Sequence, residues 1–162
     1  MEPSGLLFVG IALVIIGGVL WVRRARRDGT KWIVVDGSNV LHWENDTPDI
    51  QNVVHVLKAL KSEGYTPVVW FDANVGYLIS TRYMNPRALA TILGLPPRYV
   101  FVAPKGTPAD PLLLEGARKL KARVVTNDKF RDWEDSFPEI REPGFLVPGR
   151  MNATEFELGW GD

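Results

Sequence analysis

The chain has 162 residues, 46% of them hydrophobic, and its 19 basic residues balance 19 acidic ones to a formal charge of zero. It contains no cysteine and only two histidines, His42 and His55. This excludes a disulfide framework, a metal site with cysteine ligands and a site with three histidine ligands. Any metal site of this protein would therefore depend on carboxylates, and the neutral charge excludes a strongly basic nucleic-acid coat protein.

An apolar segment without any charged residue runs over the 18 residues from 5 to 22. In a helix with a rise of about 1.5 Å per residue it would span roughly 27 Å, close to the hydrocarbon thickness of a bilayer. Four arginines follow within residues 23–30, and the preceding residues contain none. The positive-inside rule then places the N-terminus outside and the rest of the chain in the cytoplasm. We therefore expect a single-pass anchor in the lipid bilayer. A buried core helix is less consistent with the pattern, because such a helix rarely lacks a polar face.

Beyond the basic segment, apolar runs of strand length alternate with helical patterns. Strands are predicted at residues 32–36, 66–71, 99–102, 123–126 and 145–147. Helices are predicted from Ile50 to a stop at Gly64, from Asn85-Pro86 to a stop at Gly94, from Ala109 to Lys121, and briefly around Phe130 to Trp133. This alternation is typical of an α/β fold, in which helices cover both faces of a mainly parallel sheet.

Carboxylates follow several of the predicted strands, where ligands bind to parallel sheets. Asp36, Asp72 and Asp128 follow the first, second and fourth strands, and Asp110 opens the helix after the third. Asp132 lies four residues after Asp128, on the same face of the predicted short helix. Each aspartate alone is also typical of a turn or a cap, but clustered carboxylates repel one another unless a cation compensates. The pattern therefore predicts a site for Mg²⁺ or Mn²⁺ in an enzyme that cuts phosphodiesters.

Three motifs occupy these positions: VVDGSNV at 34–40, PAD at 108–110 and VVTNDKFRD at 124–132. Together they resemble the PIN-like nucleases, and most closely their NYN branch, which includes the Regnase-type ribonucleases. The resemblance covers about residues 31–148. It implies a three-layer α/β/α fold and a ribonuclease that depends on Mg²⁺ or Mn²⁺.

The resemblance also implies roles for five residues. Asp36 resembles the first metal-binding aspartate, and Asn39 resembles the asparagine that orients that site. Asp110, Asp128 and Asp132 resemble the remaining acidic residues. The expected catalytic set is therefore Asp36, Asn39, Asp110, Asp128 and Asp132, and its four aspartates are the expected metal ligands.

The expected domain organisation has four parts. A transmembrane anchor at 5–22 precedes a basic juxtamembrane linker at 23–30. The PIN-like domain covers 31–150, and a C-terminal tail covers 151–162. Two adjacent glycines in the anchor, Gly17 and Gly18, would permit a homodimer.

One departure from the family pattern leaves alternatives open. Regnase-type enzymes often have two adjacent aspartates where this chain has Asp110-Pro111. The site would then bind one metal ion, or hold a second one weakly, unless Asp72 or Glu115 compensates. The expected function is a membrane-anchored ribonuclease acting on single-stranded or loop regions of RNA. The alternatives are a catalytically weak module that binds RNA or protein, and a different carboxylate–Mg²⁺ enzyme such as a phosphatase.

Basic and aromatic side chains near the expected site each have two interpretations. The basic residues either contact RNA phosphates or form a solvated surface; they are Lys105, Arg118, Lys119, Lys121, Lys129 and Arg131. The aromatic residues either stack on unpaired bases or pack in the core, which the sequence favours; they are Trp43, Tyr77, Tyr83 and Trp133.

Overall fold

A parallel sheet forms the centre of this protein, whose computed structural model describes residues 29–44, 47–152 and 155–161. Its five strands are β1 (Trp32–Asp36), β2 (Thr66–Phe71), β3 (Val100–Val102), β4 (Arg123–Val125) and β5 (Leu146–Val147). They lie in the order β3-β2-β1-β4-β5, and each neighbouring pair is parallel. The predicted α/β fold with a mainly parallel sheet is confirmed. Because the strand order reverses at β1, the topological switch point lies between β1 and β4.

Five α-helices connect the strands within the described residues: α1 (Gly37–Val40), α2 (Ile50–Ser62), α3 (Val75–Ile79), α4 (Pro86–Leu93) and α5 (Ala109–Leu120). Helix α4 begins and ends where its capping residues predict. The Asn85 side chain accepts a hydrogen bond from the backbone N–H of Ala88 at 2.9 Å, and Gly94 ends the helix in the left-handed conformation. The short helices α1 and α3 were not predicted, because four or five residues carry no amphipathic period.

Helices cover both faces of the sheet. On one face, Ile33 and Val35 of β1 belong to an apolar core shared with residues of α2 and α4. Side chains of a strand alternate between its faces, so Val34 points to the opposite side. There α5 packs closely on β2, since a Cβ added to Gly116 would lie 3.3 Å from the indole nitrogen of Trp70. The result is a three-layer α/β/α arrangement.

A short antiparallel hairpin follows the sheet. It consists of β6 (Gly149–Met151) and β7 (Phe156–Leu158). The ring of Trp160, just beyond β7, stacks on Tyr65 with 5.1 Å between the ring centroids. The described residues from 31 onward form one compact unit, so the boundary predicted at residue 150 falls inside this hairpin. The hairpin depends on contacts with distant parts of the chain, which a local pattern does not reveal.

The predicted anchor at 5–22 lies outside the described residues, together with most of the linker at 23–30. Within the part of the chain that the structure does describe, none of the helices has the length and hydropathy needed to span a bilayer. The anchor, its orientation and the homodimer that it would permit remain predictions.

Candidate active site

Asp36 ends β1 at the topological switch point, and its side chain is only 8% exposed. One carboxylate oxygen, Oδ1, accepts a hydrogen bond from the backbone N–H of Asn39 at 3.1 Å. The other, Oδ2, accepts one from the hydroxyl of Thr126 at 2.9 Å. Asp36 therefore caps α1 and also links β1 to the segment that follows β4.

The pKa of Asp36 is raised from 3.8 to about 7, and burial is the largest cause. The hydrogen bonds from Asn39 and Thr126 lower the pKa, and the negative charges of Asp110 and Asp72 make smaller contributions that raise it. A carboxylate of this kind is costly to ionise, because it is buried, its neighbours on this side are negative and its hydrogen-bond donors are neutral. Its charged form would be stabilised by a nearby cation.

Asp110 lies in the first turn of α5 and also has a raised pKa, whose largest cause is partial burial. The indole N–H of Trp133 donates a hydrogen bond to Oδ2 at 3.3 Å and lowers the pKa. The charges of Asp128 and Asp72 raise it. Since Asp36 is influenced by Asp110 and Asp72 as well, these four carboxylates interact with one another at one edge of the sheet.

Asp72 comes directly after β2, on the other side of β1 from Thr126. Its backbone N–H donates a hydrogen bond to the hydroxyl of Ser38 at 2.9 Å, which ties the end of β2 to α1. From the sequence, Asp72 was only a possible substitute for a missing carboxylate. The structure places it within reach of the charges of both Asp36 and Asp110.

Thr126 is a buried polar residue of the site that the sequence analysis did not single out. Its side chain is 1% exposed, and its hydroxyl donates to Asp36 and accepts from the backbone N–H of Asp128 at 3.0 Å. The carboxylate of Asp128 accepts in turn from the backbone N–H of Phe130 at 2.8 Å. One hydroxyl therefore positions two of the predicted ligands. The available signal was a polar residue directly after an apolar strand, next to Asn127.

Asn39 connects the loops that follow β1 and β4. Its side-chain oxygen accepts hydrogen bonds from the indole of Trp43 at 2.8 Å and from the backbone N–H of Asn127 at 2.9 Å. The Asn127 side chain then pairs twice with the backbone of Gly149, each time at 2.9 Å. Asn39 thus contacts Asp36 through its backbone N–H. The side chain of Asn39 links the two loops, and Asn127 extends this link to the hairpin.

The chain after Asp128 does not continue into the helix that was predicted to carry Asp132. Phe130 has a φ of +47°, which turns the chain before a short 3₁₀ helix at Arg131–Trp133. Asp128 and Asp132 therefore do not share a helical face, contrary to the prediction. Asp132 is exposed, and it is not among the main causes of either raised pKa.

The carboxylates of the cluster can be compared with the ligand sets that hold a metal ion in proteins. Among the described residues, no group of three or more His, Asp or Glu side chains is placed to hold one ion. The chemistry of the donors nevertheless fits a hard divalent cation. The cluster offers carboxylate oxygens, and its buried member Asp36 has a raised pKa in part because its neighbours are negative.

Two of the predicted phosphate-binding residues have acidic partners instead. Arg118 binds Glu139 through two hydrogen bonds at 2.7 and 2.9 Å, and Lys119 pairs with Glu115 at 3.3 Å. The Glu115 side chain is 43% exposed and faces these two basic side chains. Three other basic residues are exposed in the connections that follow β3 and β4, at the edge that carries the acidic cluster: Lys105, Lys129 and Arg131.

The four aromatic candidates divide into two pairs. Trp43 and Trp133 are half-buried, and both donate hydrogen bonds within the site. Tyr77 and Tyr83 are 62% and 59% exposed. The packing interpretation therefore suits the tryptophans but not the tyrosines.

A family model described as the Zc3h12a-like Ribonuclease NYN domain matches residues 29–143. The chain belongs to this family. The matched region is most of the chain and contains all five residues of the expected catalytic set. The resemblance to the NYN branch of the PIN-like nucleases is thus confirmed, and membership supports an RNA-cleaving nuclease.

Solved structures show the same fold. One is a crystal structure of the nuclear proteinaceous RNase P 2 from Arabidopsis thaliana, with a TM-score of 0.64 and 20% identity over 100% of this chain and 37% of that chain. A second structure of the protein-only RNase P 2 of this plant gives a TM-score of 0.61 and 18% identity over 98% and 36% of the two chains. The present chain thus spans little more than a third of these proteins. The comparison with curated proteins found no match.

Proposed function

We propose that this protein is a divalent-metal-dependent ribonuclease that hydrolyses RNA phosphodiester bonds. The observation that best supports this is the buried carboxylate of Asp36 at the switch point, influenced by the charges of Asp72 and Asp110. Crowded carboxylates at a sheet edge are unfavourable for folding, so their presence suggests a cation that compensates them. Membership of the NYN ribonuclease family supports the same activity.

Asp36, Asp110 and Asp128 would hold Mg²⁺ or Mn²⁺, directly or through water, and Asp132 would contribute through water from its exposed position. Such an ion activates a water molecule and stabilises negative charge on the phosphodiester oxygens. Thr126 keeps Asp36 and Asp128 oriented through its hydroxyl, a support that strongly affects metal affinity. Asn39 holds the loops around them in place.

The catalytic domain would act at a membrane. The apolar segment at 5–22 would anchor the chain, and the arginines after it would keep the domain on the cytoplasmic side. A preparation of the full chain in lipid vesicles should float with the vesicles after carbonate washing, whereas a variant with three leucines of this segment changed to arginine should not. Release of the unchanged chain by carbonate would contradict the anchor.

A catalytically weak module that binds RNA or protein is the second candidate. It is favoured by Pro111, which stands where related enzymes often have a second aspartate.

Cleavage of a labelled, unstructured RNA by the full chain in detergent distinguishes the two candidates. We expect cleavage in Mn²⁺ or Mg²⁺ and none in EDTA. Asp36→Asn and Asp128→Asn should each reduce the rate by more than the roughly 10–100-fold typical of residues that only support metal ligands. Asp135→Asn is the matched control, because Asp135 is fully exposed and lies outside the cluster. A folded chain that binds RNA but does not cut it in either metal would favour the binding module.

A further inference from the structure

The connection between β2 and α4 carries the two most exposed large aromatic residues in the described part of the chain. Tyr77 belongs to α3 and Tyr83 to the loop before α4, and their side chains are 62% and 59% exposed. Leu78, between them in sequence, is also exposed. Exposed aromatic rings of this size are not needed for the core, so they suggest a binding surface.

Gly76 explains why the two tyrosines lie on one short folded element. The loop over Arg82–Met84 folds back onto α3, so closely that a Cβ on Gly76 would overlap the backbone of Arg82 and Met84. The same Cβ would lie 3.0 Å from the carbonyl carbon of Tyr83. The hydroxyl of Ser80 donates a hydrogen bond to the carbonyl of Gly76 at 2.7 Å and fixes the turn. Tyr83 is therefore held against the residue that precedes Tyr77.

This element begins at the acidic cluster. The backbone N–H of Val75, the first residue of α3, donates to the carbonyl of Asp72 at 3.1 Å. Asp72 is in turn bonded to Ser38 in α1, the helix that Asp36 caps. The two tyrosines thus lie in the segment that directly follows Asp72, a member of the acidic cluster.

The charge of this region differs from that of the rest of the chain. No acidic residue occurs between Asp72 and Asp110, although the chain as a whole is neutral. The basic residues of this stretch are Arg82, Arg87, Arg98 and Lys105. Arg82 flanks Tyr83 and Arg87 lies in the first turn of α4; both are exposed, and neither forms an ion pair with any described residue.

We propose that Tyr77, Arg82, Tyr83 and Arg87 form a surface that binds single-stranded RNA beside the acidic cluster. This deepens the proposed ribonuclease function and rests on it. The exposed rings stack on unpaired bases of any sequence, and the guanidinium groups contact the adjoining phosphates. Bases in a duplex are already stacked on one another, so the surface selects unpaired strands.

The test compares RNA affinity in EDTA, where no cleavage occurs, by fluorescence anisotropy with the full chain in detergent. The probes are a labelled unstructured RNA and the same strand in a duplex. Tyr77→Ala/Tyr83→Ala should weaken binding of the single strand on the order of tenfold for each ring that stacks. Tyr77→Phe/Tyr83→Phe keeps both rings and should bind like the unchanged chain. Phe156→Ala removes an exposed ring on β7 and should have no effect.

A second double variant keeps the proposal testable if the alanine variant folds poorly. Arg82→Gln/Arg87→Gln should weaken binding and also reduce its dependence on salt, because fewer counterions are released from the RNA. Unchanged affinity of both the alanine and the glutamine variants would overturn the proposal, and a surface for a protein partner would give that result. Equal affinity for the single strand and the duplex would overturn the selection of unpaired strands.

The outcomes separate this surface from the nuclease activity. If the unchanged chain cuts RNA in Mn²⁺ and the tyrosine variants bind and cut equally well, the surface is wrong and the ribonuclease stands. If binding depends on the tyrosines but the folded chain cuts nothing in either metal, the ribonuclease is wrong and the surface stands as that of a binding module.

Discussion

Two regions meet at the carboxyl edge of the sheet, and they are built in opposite ways. Between β1 and β4, Asp36 and Thr126 are buried and joined by a hydrogen bond, and the half-buried side chain of Asn39 accepts a hydrogen bond from the backbone N–H of Asn127. Beyond β2, the segment with Tyr77 and Tyr83 exposes these two rings, and its two arginines, Arg82 and Arg87, have no acidic partners among the described residues.

The difference indicates a division of work: the first region would carry out the chemistry, and the second would bind RNA. A buried polar network keeps its geometry, because any unpaired member would be costly, and fixed geometry is what a reacting centre requires. An exposed surface of rings and guanidinium groups is solvated, so it costs little stability when no RNA is bound. Its side chains can also adapt to a flexible RNA strand. Changes in the first region should therefore affect stability and chemistry, and changes of the exposed side chains in the second should affect binding alone.

The largest effect on stability is expected from Asp36→Asn in the absence of metal. Folded Asp36 keeps its proton up to about pH 7, whereas the unfolded chain releases it near the ordinary value of 3.8. The contribution of this group to the free energy of unfolding therefore falls as the pH rises between these values, by roughly 4 kcal/mol in total. The variant should gain stability over the unchanged chain at pH 8 and lose this advantage near pH 4.

Urea unfolding in EDTA at several pH values measures this difference. Asparagine can accept from the N–H of Asn39 and donate to Thr126, so the comparison isolates the charge. A gain that is the same at pH 4 and pH 8 would contradict the raised pKa.

Thr126→Val should reduce RNA cleavage about 10–100-fold, the effect typical of a residue that orients a metal ligand. Valine has the same shape but removes the donor to Asp36 and the acceptor for the N–H of Asp128. Thr126→Ser restores the hydroxyl and is the matched control. Rates of cleavage at saturating Mn²⁺, beside the metal concentration for half-maximal rate, would show whether orientation or affinity is lost. Equal rates for the valine and serine variants would show that the hydroxyl has no such role.

Gly149→Ala should destabilise the fold by about 1–3 kcal/mol, the usual cost of overpacking. A Cβ at this position would overlap the ring of Trp43, whose indole supports Asn39. Gly116→Ala is a milder control, since its Cβ would meet Trp70 only at 3.3 Å. Thermal unfolding of both variants tests whether the hairpin packs tightly against Trp43. Equal melting temperatures for the two variants would contradict this tight packing.

The sequence predicts the strands and the long helices well, because their signals are local. Continuous apolar residues mark β1 and β2, and Asn85 and Gly94 mark the ends of α4. The hairpin of β6 and β7 has no such signal, since it is held by contacts such as that of Trp160 with Tyr65. Such contacts join residues that are far apart in the chain.

The same distinction applies to the site. Asp36 and Asp128 follow from the rule that ligands bind at strand ends. Thr126 does not, because its role arises from the parallel register that pairs Val35 with Val125 and so places residues 36 and 126 side by side. Asp132 was placed by assuming a continuous helix, and the left-handed conformation of Phe130 interrupts it.

The smallest effect on stability is expected in the exposed region. Tyr77→Ala and Tyr83→Ala should each change the free energy of unfolding by about 0.5 kcal/mol or less, because both rings lie mostly in water. Gly76→Ala, by contrast, should destabilise the loop and separate the two tyrosines, since its Cβ would meet backbone atoms. Urea unfolding of the three variants, beside their affinity for single-stranded RNA, completes the comparison of the two regions. If the tyrosine variants lost as much stability as Gly149→Ala, the rings would be part of the packing and the division of work would fail.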